Sequence, residues 1–322
     1  MRPSASYPDS PGERDRWILE RRGPRNRLDP SVPAAFLFEE EPDEDGGTAS
    51  IATVFLTNRE CPWRCLMCDL WQNTLPGDTP PGAILRQIRA AVSALPAARW
   101  IKLYNAGSFF DPRAIPAAET EAIAGELARY ERVIVESHPA LIGDRCADLA
   151  ARLPGRLEIA MGLETIHPEI LPRLNKRMSL DEFREAAAFL RARDIALRAF
   201  VLVGLPWIDP ADAVRWAIRS AAFAFESGAR VVTLIPTRTG NGAMDSLEAS
   251  GEFVPPTLGQ LEQALSGALA LCRGLVFADL WDLARWRRCP VCFSERERRL
   301  EAMNRRQEAT PPVACPVCAG RG

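Results

Sequence analysis

Ile51-Ala52-Thr53-Val54-Phe55-Leu56 leads, four residues on, into Cys61-Pro62-Trp63-Arg64-Cys65-Leu66-Met67-Cys68. The first stretch is an apolar run with β-branched residues, the pattern of a strand buried on both faces. The second holds three thiols, with three and then two residues between them, on the loop after that strand. This spacing lets neighbouring side chains converge on three corners of a cubane iron-sulfur cluster from a single loop. One iron is then left without a protein ligand, and an open coordination position is where a metal site does chemistry. Buried or disulfide-bonded cysteines are the plain alternative, which three thiols in eight residues directly after a strand disfavour.

From residue 51 onward, strand-like and helix-like runs alternate six times. Strands are predicted at 51–57, 99–104, 132–136, 157–162, 197–203 and 230–235, all short and rich in Val, Ile and Leu. Helices are predicted near 82–95, 117–130, 144–153, 179–193, 210–227 and 257–272. Ser179 with Glu182 and Thr257 with Gln260 read as capping boxes, and Asp209 before Pro210 places a cap ahead of a proline at the first helical position. Six βα units in a row predict a parallel sheet with right-handed crossovers. Periodicity alone leaves an open doubly wound sheet and a partial barrel as alternatives. In both, reactive groups belong at the carboxyl ends of the strands.

Those ends hold the candidates. Strand two runs into Leu103-Tyr104-Asn105-Ala106-Gly107-Ser108-Phe109-Phe110-Asp111. Strand three ends at Glu136 and strand four at Gly162-Leu163-Glu164, so two carboxylates face one mouth, placed to accept hydrogen bonds from hydroxyls or amines. His138 and His167, the two histidines of the chain, lie far in sequence from the thiols and read as ordinary polar contacts. Gly204 ends strand five and lets another group approach its backbone closely. A polar loop, Pro236 to Gly242, follows strand six, with Arg238 as its charge.

The CxxxCxxC pattern of Cys61, Cys65 and Cys68, with Met67 before the third cysteine on the loop after the first strand, resembles the signature of radical S-adenosylmethionine (SAM) enzymes. The resemblance implies a (β/α)6 partial TIM barrel and a 4Fe-4S cluster on those three cysteines. It also implies SAM chelated at the open iron and cleaved reductively to a 5'-deoxyadenosyl radical, with an electron donor such as flavodoxin or ferredoxin. It places Asn105, Gly107 and Ser108 where such proteins hold the amino group of SAM, although here Gly107 alone remains of the glycine-rich turn. Glu136 and Glu164 become contacts for ribose or substrate, and Gly204 the approach to the adenine. The phrases Cys61 to Trp71, Lys102 to Asp111, Gly162 to Met178 and Val231 to Thr237, with Glu252 to Pro256 beyond, are similar to the branch holding the radical SAM subunit of archaeosine synthase and its bacterial relatives, with the elongator catalytic subunit more distant. That branch implies carbon-nitrogen bond cleavage or rearrangement on a modified base in RNA; a small molecule or a peptide is the alternative substrate.

Two CPVC knuckles, Cys289/Cys292 and Cys315/Cys318, stand with 22 residues between them, close to zinc-ribbon spacing. Four thiolates make a closed structural zinc site, and an auxiliary iron-sulfur cluster uses the same ligands. Around the knuckles, Arg285, Arg287, Arg288, Arg296, Arg298, Arg299, Arg305 and Arg306 face Glu295, Glu297 and Glu301, a local excess of five positive charges that suits phosphate or a solvated helix face. A zinc-ribbon nucleic-acid-binding protein with a vestigial cluster is the rival function, against which the three intact loop cysteines argue. The remaining cysteines, Cys146 and Cys272, fall in helical stretches as packing residues.

With 322 residues, 47% of them hydrophobic and 25% charged, the chain has the composition of one large globular domain and a small appendage. The domains expected are an arm and acidic loop over 1–50, a core over 51–274 and a tail over 275–322. Residues 1–30 read as an extended arm, and Glu39 to Asp45 as a solvated acidic loop. A net charge of -2 gives no overall attraction for nucleic acid. No apolar run is long enough to span a membrane, and the cysteine clusters suit a reducing compartment, so the expected location is the cytoplasm, with no membrane partner.

Overall fold

The computed structural model describes residues 6–319. The first five residues of the expected arm and the last three of the tail lie outside them. In chain order the first elements are helix α1 (Pro11–Arg21), strands β1 (Ala35–Pro42) and β2 (Thr48–Leu56), α2 (Ala83–Ala94), β3 (Trp100–Asn105), α3 (Thr120–Leu127) and β4 (Arg132–Glu136). Then come α4 (Asp144–Arg152), β5 (Arg156–Glu164), the single turn α5 (Ile170–Arg173), α6 (Leu180–Arg191), β6 (Ala196–Val203) and α7 (Ala213–Glu226). The chain ends in β7 (Val231–Pro236), α8 (Ala243–Ala249), α9 (Leu258–Leu269), β8 (Leu275–Ala278), α10 (Phe293–Arg306) and the short α11 (Pro316–Ala319).

The eight strands lie side by side in chain order in one curled half-barrel sheet. β2 to β8 are parallel, each joined to the next by a segment containing helix, and the six predicted strands are β2 to β7. Both capping boxes close as expected, at Ser179/Glu182 and Thr257/Gln260. The sheet runs past both ends of the expected core. β1 pairs antiparallel with β2, and β8 extends the parallel side.

Alternation sorts the strand residues into two layers. Val54, Leu103, Val133, Val135, Ile159, Met161, Val201 and Leu234 point to the helices and are fully buried in the main core. Inside the barrel the lower positions are closed by charge rather than by carbon. Lys102 donates to Glu39 at 2.9 Å and pairs with Glu41; Arg198 reaches Glu41 at 2.9 Å and Glu158 at 2.7 Å; Arg132 reaches Glu158 at 3.2 Å. The acidic run expected as a solvated loop is therefore strand β1 in part. Its alternate carboxylates, Glu39 and Glu41, point inward because cations on β3 and β6 meet them there, while Phe36, Phe38 and Glu40 face outward and are exposed. Burial raises the Glu41 carboxyl, and the charges of Arg198 and Lys102 outweigh that and bring it down to about 2.

The expected N-terminal arm is likewise ordered. Ser10 caps α1 by accepting from the Glu13 N–H, with Pro11 at the first helical position, and Trp17 and Ile18 are buried against Leu66, Met244, Leu247 and Phe253. The signal was present as Ser10-Pro11-Gly12-Glu13, a cap followed by proline and a carboxylate. At the other edge of the sheet, α10 lies along β8. Asn304 and Gln307 exchange amide hydrogen bonds with the backbone of Ala278 and Val276, at 2.7 to 3.0 Å, as a further strand would. Cys146 is buried as expected, whereas Cys272 lies beyond the end of α9 and is exposed.

Candidate active site

The cluster loop follows β2 at the carboxyl end of the barrel and is fixed through its backbone from three directions. Asn241 donates to the carbonyls of Leu66 (2.8 Å) and Cys68 (3.1 Å), Asn175 donates to that of Arg64 (2.8 Å), and the Leu66 N–H donates to Leu174 (2.9 Å). At the start of the loop, buried Glu60 takes Arg22 at 2.6 Å, Arg25, and Arg64 at 3.3 Å. The N-terminal segment thus grips the loop from outside. Burial pushes the thiols of Cys61, Cys65 and Cys68 each up to about 12, so they become thiolates when a metal takes the place of their protons.

The candidate strand ends gather beside these thiols. A Cβ on Gly107 would stand 3.2 Å from that of Cys61, so glycine lets the loop after β3 lie against the cluster loop without crowding it. Ser108 shares a hydrogen bond with Ser137 at 2.8 Å. Asn105 is buried with both side-chain amide atoms unpartnered, while its N–H donates to Glu136 at 3.1 Å. Glu136 otherwise has little to stabilise a charge. Burial pushes its carboxyl up to about 8, more than the Asn105 N–H and the nearby Lys176 charge bring it down.

Glu164 accepts from Lys176 at 2.5 Å, both nearly buried. Glu164 sits at a bulge in β5 with φ 64°, a left-handed conformation rare outside glycine. Gly162 makes room for this pair, since a Cβ there would fall 2.1 Å from Glu164 Oε1 and 2.2 Å from Lys176 Nζ. The Lys176 charge in turn acts on the thiols of Cys61 and Cys65. The Lys176 carbonyl is 3.0 Å from His138 Nε2, and that imidazole lies under Trp63 of the cluster loop at 3.7 Å, with the rings 12° apart. Burial and the Lys176 charge bring His138 down to about 4, so it is neutral. His167 stands apart and packs on Trp216 at 4.3 Å.

Gly204 has φ 73°, and its close approach is to Pro256, whose Cβ lies 2.8 Å from where a side chain would start. Arg238 is paired with Asp279 at 2.9 Å. Sequence reasoning missed Lys176, Trp63 and Asn241, since none falls at a strand end or in a repeated spacing. Leu174-Asn175-Lys176 stood in the sequence without a partner that would give it a role.

The Radical SAM superfamily matches residues 55–217, just over half of the chain. The chain belongs to the radical SAM superfamily. It is similar to an uncharacterised protein of Methanocaldococcus jannaschii, 23% identical over 257 residues that cover 75% of this chain and 70% of that one. Among solved structures it is similar to methylornithine synthase, with 14% identity, a TM-score of 0.51, and 70% of this chain and 64% of that one covered. It is also similar to the archaeal elongator protein of Methanocaldococcus infernus, with 15% identity, a TM-score of 0.49 and coverage of 61% and 51%. The chain spans less than two thirds of each of these solved chains.

Radical SAM membership implies a 4Fe-4S cluster and SAM, and the residues present fit both. The three loop thiols are free, and among the described residues they do not form the tight cage of one small ion. The orphaned amide of Asn105 is a polar group for SAM to satisfy.

The tail is different. Cys289, Cys292, Cys315 and Cys318 bring four sulfurs within 4.8 Å of one another, with Sγ···Sγ distances of 3.9 Å for Cys289–Cys315 and 3.7 Å for Cys292–Cys318. Of the nearby arginines, Arg296 and Arg299 both pair with buried Glu262 on α9, Arg285 pairs with Asp282, and Arg288 donates to the Pro255 carbonyl. Arg298, Arg305 and Arg306 stay exposed.

Proposed function

We propose that this radical SAM chain is an enzyme that cleaves SAM reductively and starts hydrogen abstraction from a substrate held in the barrel lumen. The observation that carries the reading is three free thiols on a braced loop, with Gly107 against Cys61 and the buried Glu164–Lys176 pair beside them. When bound, the cluster and SAM supply the electron transfer and the radical. The protein's residues bind, orient and shield. Lys176 offers a cation to a carboxylate, and Glu164 fixes where that cation stands. Burial raises the Glu136 carboxyl to about 8, which favours its protonated form as a donor to a ligand in the lumen. Neutral His138, stacked on Trp63, holds the cluster loop against the loop after β4. The electron comes from a donor of the flavodoxin or ferredoxin type.

The test is anaerobic reconstitution with iron and sulfide, followed by SAM and dithionite. The wild type should form 5'-deoxyadenosine and a brown chromophore, and Cys65→Ala should lose both. Undiminished cleavage in that variant would overturn the assignment.

In the tail, the sulfur spacing supports one tetrahedral ion, with zinc as the metal. Ligands about 2.3 Å from a common centre stand about 3.8 Å apart, the separation found here, whereas thiolates on the separate irons of a cubane stand much farther apart. A modified base within RNA is the substrate proposed from the archaeosine-like phrases, with carbon-nitrogen cleavage or rearrangement as the reaction. Phosphate contacts would then fall to Arg287, Arg298, Arg305 and Arg306, because Arg296 and Arg299 are engaged by Glu262 and Arg285 by Asp282.

A further inference from the structure

Above its ionic floor the lumen changes character. Lys102, Arg132, Glu158 and Arg198 are sealed, whereas the next inward positions, Phe55, Tyr104, Glu136, Phe200 and Thr233, all remain partly accessible. The aromatic rings among them meet one another at this level and are only partly exposed. Three of these residues, with Trp281 after β8, form a continuous aromatic wall. Tyr104 meets Phe55 at 6.0 Å and 64° and Phe200 at 6.2 Å and 84°, and Phe55 meets Trp281 at 5.8 Å and 50°.

Trp281 is 54% exposed and joins these rings through Phe55, so the aromatic surface continues to the outside of the lumen. Polar groups at the same level lack partners. The Thr233 hydroxyl is buried without a hydrogen bond, and the Tyr104 hydroxyl takes none from the described residues. Glu136 is the next inward residue on the strand beside Tyr104, and its protonated carboxyl adds a donor.

We infer that the substrate held in the upper lumen is a planar conjugated ring bearing hydrogen-bonding groups, stacked against Phe55, Tyr104, Phe200 and Trp281 and read by Tyr104, Thr233 and Glu136. The inference deepens the radical SAM reading and rests on it. Flat apolar faces with orphaned hydroxyls favour a flat ligand with a polar edge, because aromatic walls gain most from a partner that offers ring faces and edges. An aliphatic chain would leave much of that wall and all three polar groups unmatched.

The test uses the reconstituted full chain with saturating S-adenosylhomocysteine and two neutral probes of one skeleton, naphthol and decahydronaphthol, which differ in planarity. Calorimetric titration should show saturable binding of naphthol and at least about 10-fold weaker binding of decahydronaphthol. Trp281→Leu, at an exposed position that the fold tolerates, should weaken naphthol about 5- to 10-fold, as loss of one aromatic contact does. Thr233→Val should weaken it by a smaller factor. Equal affinity for both probes, no saturable naphthol binding in the presence of S-adenosylhomocysteine, or unchanged affinity in Trp281→Leu would each overturn the chamber. Assaying 5'-deoxyadenosine on the wild-type sample separates the two readings. Ring binding without SAM cleavage sinks the enzyme and leaves the chamber, and cleavage without ring binding does the reverse.

Discussion

Glu136 and Glu164 end neighbouring strands, yet their surroundings differ. Lys176 neutralises Glu164 directly at 2.5 Å, whereas Glu136 has one backbone N–H and keeps its proton up to about 8. Over the window from 4.5 to about 8 the folded protein therefore holds a proton that the unfolded chain releases. This site's contribution to stability is greatest below that window and falls as pH rises through it. Glu136→Gln should remove that slope from urea midpoints measured across the window, and the infrared band of a protonated carboxyl that titrates near the upper value should vanish with it. An identical slope in wild type and variant would show that Glu136 is ionised. Lys176→Ala leaves the Glu164 charge buried without its partner and should cost about 3–5 kcal/mol in urea unfolding. The carboxylates were legible in the sequence because they terminate apolar runs. Their different surroundings were not, because Glu164 is paired by a lysine twelve residues beyond it that a left-handed backbone and a glycine bring into contact.

Among the elements, β1, β8, α1 and α10 finish what the six βα units begin. Glu41 is held down to about 2, so it adds stability above its ordinary value of 4.5, which is lost as pH falls from there toward 2. Glu41→Ala removes one of the two carboxylates that each of Arg198 and Lys102 meets in the closed floor, leaves a net positive charge there, and should destabilise by about 3–5 kcal/mol, read from denaturant midpoints at neutral pH. Trp17 anchors α1 over the cluster loop, and Trp17→Ala should cost about 3–5 kcal/mol and speed bleaching of the reconstituted chromophore in air. At the opposite edge, α10 runs between the two cysteine knuckles and ends in the amides that cover β8. Removing the tail metal or changing Cys315→Ser should accelerate hydrogen exchange at the Val276 and Ala278 amides as well as in the knuckles, because Gln307 and Asn304 are held there by the same helix. Protection unchanged at those two amides would mean that α10 docks without its ion. β1 escaped the sequence reading because an acidic run resembles a solvated loop until buried cations from distant strands are known to face it.

Over the whole molecule, two thiol sites of different geometry stand on one half-barrel. Metal analysis of anaerobically purified protein should find about four irons and one zinc per chain, and a larger iron count without zinc would favour an auxiliary cluster in the tail. No helix among the described residues is long and apolar enough to cross a membrane. The sequence by itself determined the six βα units, the two thiol sets and the strand-end carboxylates, because periodicity, ligand spacing and caps are local and act within a few residues. Only the tertiary structure decided what closes the barrel, which strand-end carboxylate meets a lysine, where the arginines of the tail are engaged and which lumen positions stay partly open. Each of these depends on a pairing across tens to more than a hundred residues, such as Arg198 with Glu41 or Asn241 with Leu66, and packing sets those pairings rather than chain proximity.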